Sequence, residues 1–117
     1  MEDVKDSLSD IIWAGSSLKD LKGFPDKVRS HFGYSLFRLQ QGEVPTRSYK
    51  PMSDIETGVY ELREQDSKSW YRVIYYTRIE DHLVVLHCFE KRSAKTPKSD
   101  IQIAKDRLSQ VKNKRRK

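Results

Sequence analysis

The chain is poor in cysteine, glycine and long apolar runs, and each shortage excludes something. A single cysteine in 117 residues, Cys88, can close no internal disulfide and build no cysteine-based zinc site. It lies in an apolar run with Leu86 and Phe89, where a thiol behaves as a small hydrophobe rather than a nucleophile. Five scattered glycines supply no glycine-rich phosphate loop. No stretch approaches the roughly 20 apolar residues that span a bilayer, and the acidic N-terminus lacks the form of a secretion signal. A soluble, intracellular protein without membrane contact is therefore expected. Its length suits one domain over residues 1–117 with a modest core, and neither a cofactor nor a bound metal is expected.

Charge is unevenly distributed. Residues 1–90 carry 12 basic and 15 acidic side chains, a net −3, whereas residues 91–117 carry 11 and 2, a net +9. A basic field of this kind gathers polyanions and weakens steeply as salt rises. Nucleic acid is the natural partner. For the tail, 112–117, which is expected to fray, a solubilising role is an equal alternative.

Residues 59–91 organise the rest. The runs VYELR, SWYRVIYYTRI and HLVVLHCFEK are rich in β-branched and aromatic residues and read as an antiparallel meander. Before them, residues 10–15 form a short strand ending at glycine, and the spacing of Ser17 and Asp20 suggests a capping box for a brief helix to Lys22. After Pro25, an apolar stripe of Val28, His31, Phe32, Leu36 and Leu39 predicts a second helix stopped by Gly42. Residues 42–58 lose all periodicity and read as a loop carrying Arg47, Tyr49 and Lys50. Thr96 and Pro97 have the form of a cap and first helical position, with Ile101, Ala104, Leu108 and Val111 as a thin stripe behind them. The order β-α-α-β-β-β-α gives an α+β fold, an antiparallel sheet packed on a helical hairpin with a C-terminal helix.

Arg63, Arg72, His87 and Lys91 interrupt runs that otherwise look like core. If the turn after Arg78 centres on Glu80 and Asp81, alternation puts Arg72, Ile74, His87 and Phe89 on one face. Arg63 joins them in one of two registers. Tyr71, Val73, Tyr75, Val84, Leu86 and Cys88 would then face the paired helices. Cations and aromatics on one face suit metal-free RNA cleavage, in which the 2′-hydroxyl attacks phosphorus while arginine forks hold the phosphoryl oxygens. A histidine or lysine could exchange the proton. The competing reading pairs these arginines with Glu61, Glu64 or Glu90 and makes the histidine structural.

The ordered segments WAGSSLKDLKGFPDKVR, GYSLFRLQQGEVP, YKPM, GVYELRE, YRVIYYTR, VVLHCFEKRSAKTP and IQIAKDRL, covering residues 12–108, resemble the phage-related HigB-like toxins of the RelE toxin–antitoxin superfamily. The resemblance implies a small cytoplasmic ribonuclease that cuts messenger RNA in the ribosomal A site. It further implies an antitoxin partner of helix-turn-helix type, through which DNA is touched only indirectly. Arg63 in the ELR motif, Arg72 after Tyr71, Lys91 after the LHxF-type motif and Lys50 before the loop proline match the family's basic positions. His87 belongs to the motif as catalyst or brace. The superfamily's usual tyrosine or histidine after Lys91 has no counterpart, which leaves Lys91, Lys95 and Tyr71 as candidates for proton transfer. Arg47, Arg92, Lys95, Lys98 and Lys105 complete the expected RNA and ribosome contacts.

Two other functions fit the residues: a nucleic-acid-binding module without catalysis, and an interaction protein presenting Trp70, Tyr76 and Phe89 to a partner. RNA cleavage separates the first reading from both.

Overall fold

A computed structural model describes residues 10–45, 48–79, 82–91 and 95–115. Its elements are β1 (Asp10–Trp13), α1 (Ser17–Lys22), α2 (Asp26–Gln40), β2 (Tyr49–Pro51), β3 (Val59–Gln65), β4 (Trp70–Ile79), β5 (His82–Lys91) and α3 (Lys98–Arg115). They build one five-stranded sheet in the order β1-β5-β4-β3-β2. The meander is antiparallel as the alternation implies, but β1 runs parallel to β5, so the sheet is mixed. The stretch read as loop contributes β2, a three-residue edge strand paired with β3. Arg47 lies outside the described residues, as do Glu80, Asp81, Arg92 and the last two residues of the tail.

Both faces of the sheet are covered. Against α1 and α2 pack Leu62, Tyr71, Val73, Tyr75, Leu83, Val85 and Cys88, meeting Leu21, Phe24, Val28, Phe32 and Leu36. Against α3 pack Val59, Ile74, Tyr76, Val84, Leu86 and Phe89, meeting Ala104, Leu108 and Val111. Each fully buried side chain of this kind stabilises the fold by about 1.5–3 kcal/mol. Val84 and Leu86 thus face α3 and not the paired helices. The cause is a bulge: Ile74 pairs with His87 but Tyr75 pairs with Val85, so Leu86 has no opposite number and the parity of β5 reverses there.

The helix ends also differ from expectation. Ser17 is buried with its hydroxyl donating to the Val85 carbonyl at 3.2 Å, and Ser16 takes the N-cap position, its hydroxyl bonded to Asp20 at 2.8 Å. Gly15, at φ +52°, lies so close to the Arg107 guanidinium that an added Cβ would come within 2.5 Å of it. That approach lets Arg107 donate to the Leu86 carbonyl at 3.0 Å and to the Ser16 hydroxyl at 3.3 Å, tying α3 to the turn after β1. Tyr76 and Phe89 are buried in the α3-side core, so they cannot form the exposed aromatic surface that an interaction protein would need. No described helix is long and apolar enough to cross a membrane.

Candidate functional site

Register across β2, β3 and β4 builds the site. Lys50 stands opposite Glu61, and Arg63 stands opposite Arg72. The Arg63 amide donates to the Ser48 carbonyl at 3.0 Å and so points toward the β2 side of its strand. Arg63 and Arg72 therefore form a non-hydrogen-bonded pair, the type in which facing side chains come closest. Phe89 continues their row on β5, and Gln65, Trp70 and Lys91 form the next row toward the sheet's end.

Two like charges directly opposed are unfavourable unless a counter-charge joins them. Glu61, fully buried and two residues before Arg63 on the same face, supplies it. One carboxylate oxygen accepts from Arg63 Nε at 2.8 Å; the other lies 3.6 Å from Arg72 Nη1. Thr96 completes the cluster. Its hydroxyl accepts from Arg72 Nη1 at 3.0 Å and donates to Glu61 at 2.6 Å. Burial pulls the Arg72 pKa below its ordinary value, and Glu61 opposes that shift. Arginine retains its charge under such a shift. The Arg72 guanidinium also lies 5.6 Å from the Trp70 ring centroid.

Beside the cluster opens a cleft of about 540 Å³, lined by Lys50, Arg63, Lys95 and Thr96 with residues of the 51–54 turn and Ile101. Arg63 keeps 22% of its side chain accessible there, whereas Arg72 has none. Asp54 also lines a second hollow of about 420 Å³, together with Lys105 and Lys112. Lys98 is exposed at the start of α3.

The remaining expected residues lie elsewhere. Tyr71 is on the opposite face from Arg72, its ring edge-on to Phe24 at 5.1 Å and its hydroxyl donating to Asp66 at 3.0 Å. Burial, then that hydrogen bond, pushes its phenol above the ordinary value. The phenol is buried in the core beside α1 and α2 and is not in the described lining of the cleft. His87 shares the site's face but is closed off by α3: Nε2 lies 2.7 Å from Asp100, Arg107 approaches Nδ1 at 3.5 Å, and the ring stacks on Phe89 at 4.7 Å. A carboxylate can only accept, so Nε2 carries the proton. Both ring nitrogens of His87 are thus engaged beneath a helix, the arrangement of a brace. Lys91 is half-buried one row beyond the arginines. Cys88 is buried among apolar groups, which push its thiol up to about 12.

Glu61, Thr96, Asp100 and Arg107 were not among the expected site residues. The first is a carboxylate that the competing reading pairs with the arginines, and lying two positions from Arg63 it must share its face. Thr96 has the form of a helix cap, and only the folded chain brings its hydroxyl to the arginines. Among the described residues, no grouping of three or more His, Cys, Asp or Glu side chains could hold a metal ion.

Residues 19–109 match the family described as "Phage derived protein Gp49-like (DUF891)". The chain is 33% identical over 89 residues to a protein named "Probable endoribonuclease HigB1" in two strains of Mycobacterium tuberculosis, an alignment covering 76% of this chain and 68% of that protein. Its fold is similar to a chain in the crystal structure of the RelBE2 toxin–antitoxin complex from Mycobacterium tuberculosis. The TM-score is 0.51 at 20% identity, covering 78% of this chain and all of that one. The matched segment holds the whole meander with Glu61, Arg63 and Arg72, and the chain belongs to the phage-derived Gp49-like family, of HigB type.

Proposed function

We propose that this protein is the toxin of a toxin–antitoxin pair and acts as an endoribonuclease on messenger RNA at the ribosome. The observation that carries the reading is Arg63, backed by the buried Arg72, in a cleft that Lys50 and Lys95 also line. The name of the 33% identical relative supports the activity. In this reading Lys50 and Lys95 hold the sugar-phosphate chain and Arg63 meets the phosphoryl oxygens, with Arg72 supporting it from below. The ribose 2′-hydroxyl attacks the adjacent phosphorus, a 2′,3′-cyclic phosphate forms, and the 5′-oxygen of the next nucleotide leaves with a proton. Positioning and charge stabilisation carry most of such a step. Lys50, Lys95 and Asp54 are the groups in the cleft that can exchange the proton. Lys91, Lys98 and Lys105 extend the basic surface toward ribosomal RNA, and an antitoxin of helix-turn-helix type holds the toxin inactive in the cytoplasm.

Mapping RNA 5′ ends after a short induction tests this. New ends within translated messages, absent with Arg63→Ala, are expected; growth arrest without new ends would refute catalysis. One observation favours a second reading. The described lining of the cleft holds neither histidine nor tyrosine, so a non-catalytic RNA- or ribosome-binding module would show salt-sensitive binding with no cleavage.

A further inference from the structure

We propose that Thr96 and Glu61 are positioning residues: the Thr96 hydroxyl is the link that holds Arg63 and Arg72 in one productive arrangement and makes that arrangement depend on the seating of α3. The inference rests on the ribonuclease reading for its catalytic consequence.

The direct separation of Arg72 from Glu61, 3.6 Å, is longer than a hydrogen bond. Thr96 closes the gap with a single oxygen, which accepts from Arg72 at 3.0 Å and donates to the carboxylate at 2.6 Å. A hydroxyl can do both at once; a methyl can do neither. Glu61 in turn spends its other oxygen on Arg63 Nε at 2.8 Å. The order Arg72, Thr96, Glu61, Arg63 is thus one continuous chain of contacts between groups that would otherwise repel. It is also where the helix joins the site. Lys95 reaches the cleft, Thr96 binds the chain of contacts, and Lys98 begins α3. Any displacement of the start of α3 pulls the hydroxyl away from both partners. Arg63 then loses the fixed orientation of Glu61, and its guanidinium points into the cleft with less constraint.

The test compares Thr96→Val, Thr96→Ser and Glu61→Gln in the full chain, following cleavage by translating ribosomes with kcat and KM separated. The arginine Nε–H resonances of Arg63 and Arg72 are followed by nitrogen-15 NMR in the same proteins. Thr96→Val is expected to lower kcat roughly 10²-fold with little change in KM, the effect of a misplaced catalytic group. It should also move both Nε–H signals and speed their exchange with water, whereas Thr96→Ser retains the wild-type signals and most of the rate. Unmoved signals and an unchanged kcat in Thr96→Val, or a serine variant as impaired as the valine one, would overturn the proposal. Should Thr96→Val not fold, Glu61→Gln decides. It keeps an acceptor for Thr96 but loses the charge, so a shifted Arg63 signal with lowered kcat supports the link and wild-type behaviour refutes it. If the wild-type protein cleaves no RNA, the ribonuclease reading falls by itself. The NMR comparison then supports or overturns the positioning chain alone.

Discussion

Arg63 and Arg72 face each other across β3 and β4, yet one lines the cleft and the other is completely buried. The two arginines therefore fail differently when removed. Arg63→Ala takes away a donor that reaches the cleft and leaves Glu61 its second partner. Cleavage should fall roughly 10²–10³-fold, the usual cost of losing a donor to developing charge, with a fall in the thermal midpoint smaller than that of Arg72→Ala, because Arg63 is partly exposed. Arg72→Ala leaves a buried carboxylate short of a cation and should cost about 3 kcal/mol or more. Calorimetry beside the cleavage assay distinguishes the two, and equal destabilisation by both substitutions would contradict this division of labour.

The same asymmetry shows what could be read from the chain. Alternation in β4 and β5 places Arg72, Ile74, His87 and Phe89 on one face, and the stripe from Val28 to Leu39 predicts the α2 surface that packs. What could not be read is non-local. Tyr49–Pro51 becomes a strand only because β3 lies beside it, and β1 joins β5 across most of the chain's length. The run Val84-Val85-Leu86 is apolar throughout, so nothing in it marks the bulge at Leu86 that turns Val84 and Leu86 toward α3. The roof over His87 was hidden too. A narrow apolar stripe on α3 gives no sign that Asp100 and Arg107 reach the imidazole.

Tyr71→Phe removes only the hydroxyl that donates to Asp66, on the face away from the cleft. Cleavage should stay near wild type, and the hairpin between β3 and β4 should loosen slightly, seen as faster amide exchange at Ser69. A large fall in kcat with unchanged exchange would return Tyr71 to the chemistry.

His87→Ala strips the Asp100 carboxylate of its partner beneath α3. The expected loss is about 2 kcal/mol, typical of leaving a mostly buried polar group unpaired, with faster hydrogen exchange concentrated in α3. Activity per folded molecule should persist at temperatures below the lowered midpoint. Full stability with abolished turnover would instead mark the imidazole as catalytic.

Lys50 and Lys95 lie on the cleft in exposed positions, so their contribution to RNA binding should be mainly electrostatic. Each phosphate contact on a single strand adds roughly 0.7 to the slope of log affinity against log salt. Replacing both lysines with methionine should therefore flatten that slope by roughly 1.4, with similar losses for RNAs of different sequence. A slope that does not change would place the RNA elsewhere on the surface.

Lys112 reaches back from α3 to Glu56, which also accepts from the Tyr76 hydroxyl at 3.1 Å, and the ammonium lies 5.5 Å from the Tyr76 ring centroid. The hydrogen bond from Lys112 holds the Glu56 carboxyl below its ordinary value, and the same bond holds the ammonium above its own. For Glu56, a depressed folded-state pKa means that its stabilisation is present above the unfolded-state value and is lost as pH falls through the folded one. For Lys112, a raised folded-state pKa means that its stabilisation is complete below the unfolded-state value and disappears as pH climbs through the folded one. The pair should accordingly hold the end of α3 across neutral pH and release it in acid and in strong alkali. Both side chains are about a third exposed, so the contribution is that of a surface ion pair, about 1 kcal/mol or less and weaker in high salt. The thermal midpoint of the wild type minus that of Lys112→Met, followed from acid to alkaline pH, should trace a plateau that declines at both ends. A difference independent of pH would mean that the lysine acts only by packing its stem on Tyr76.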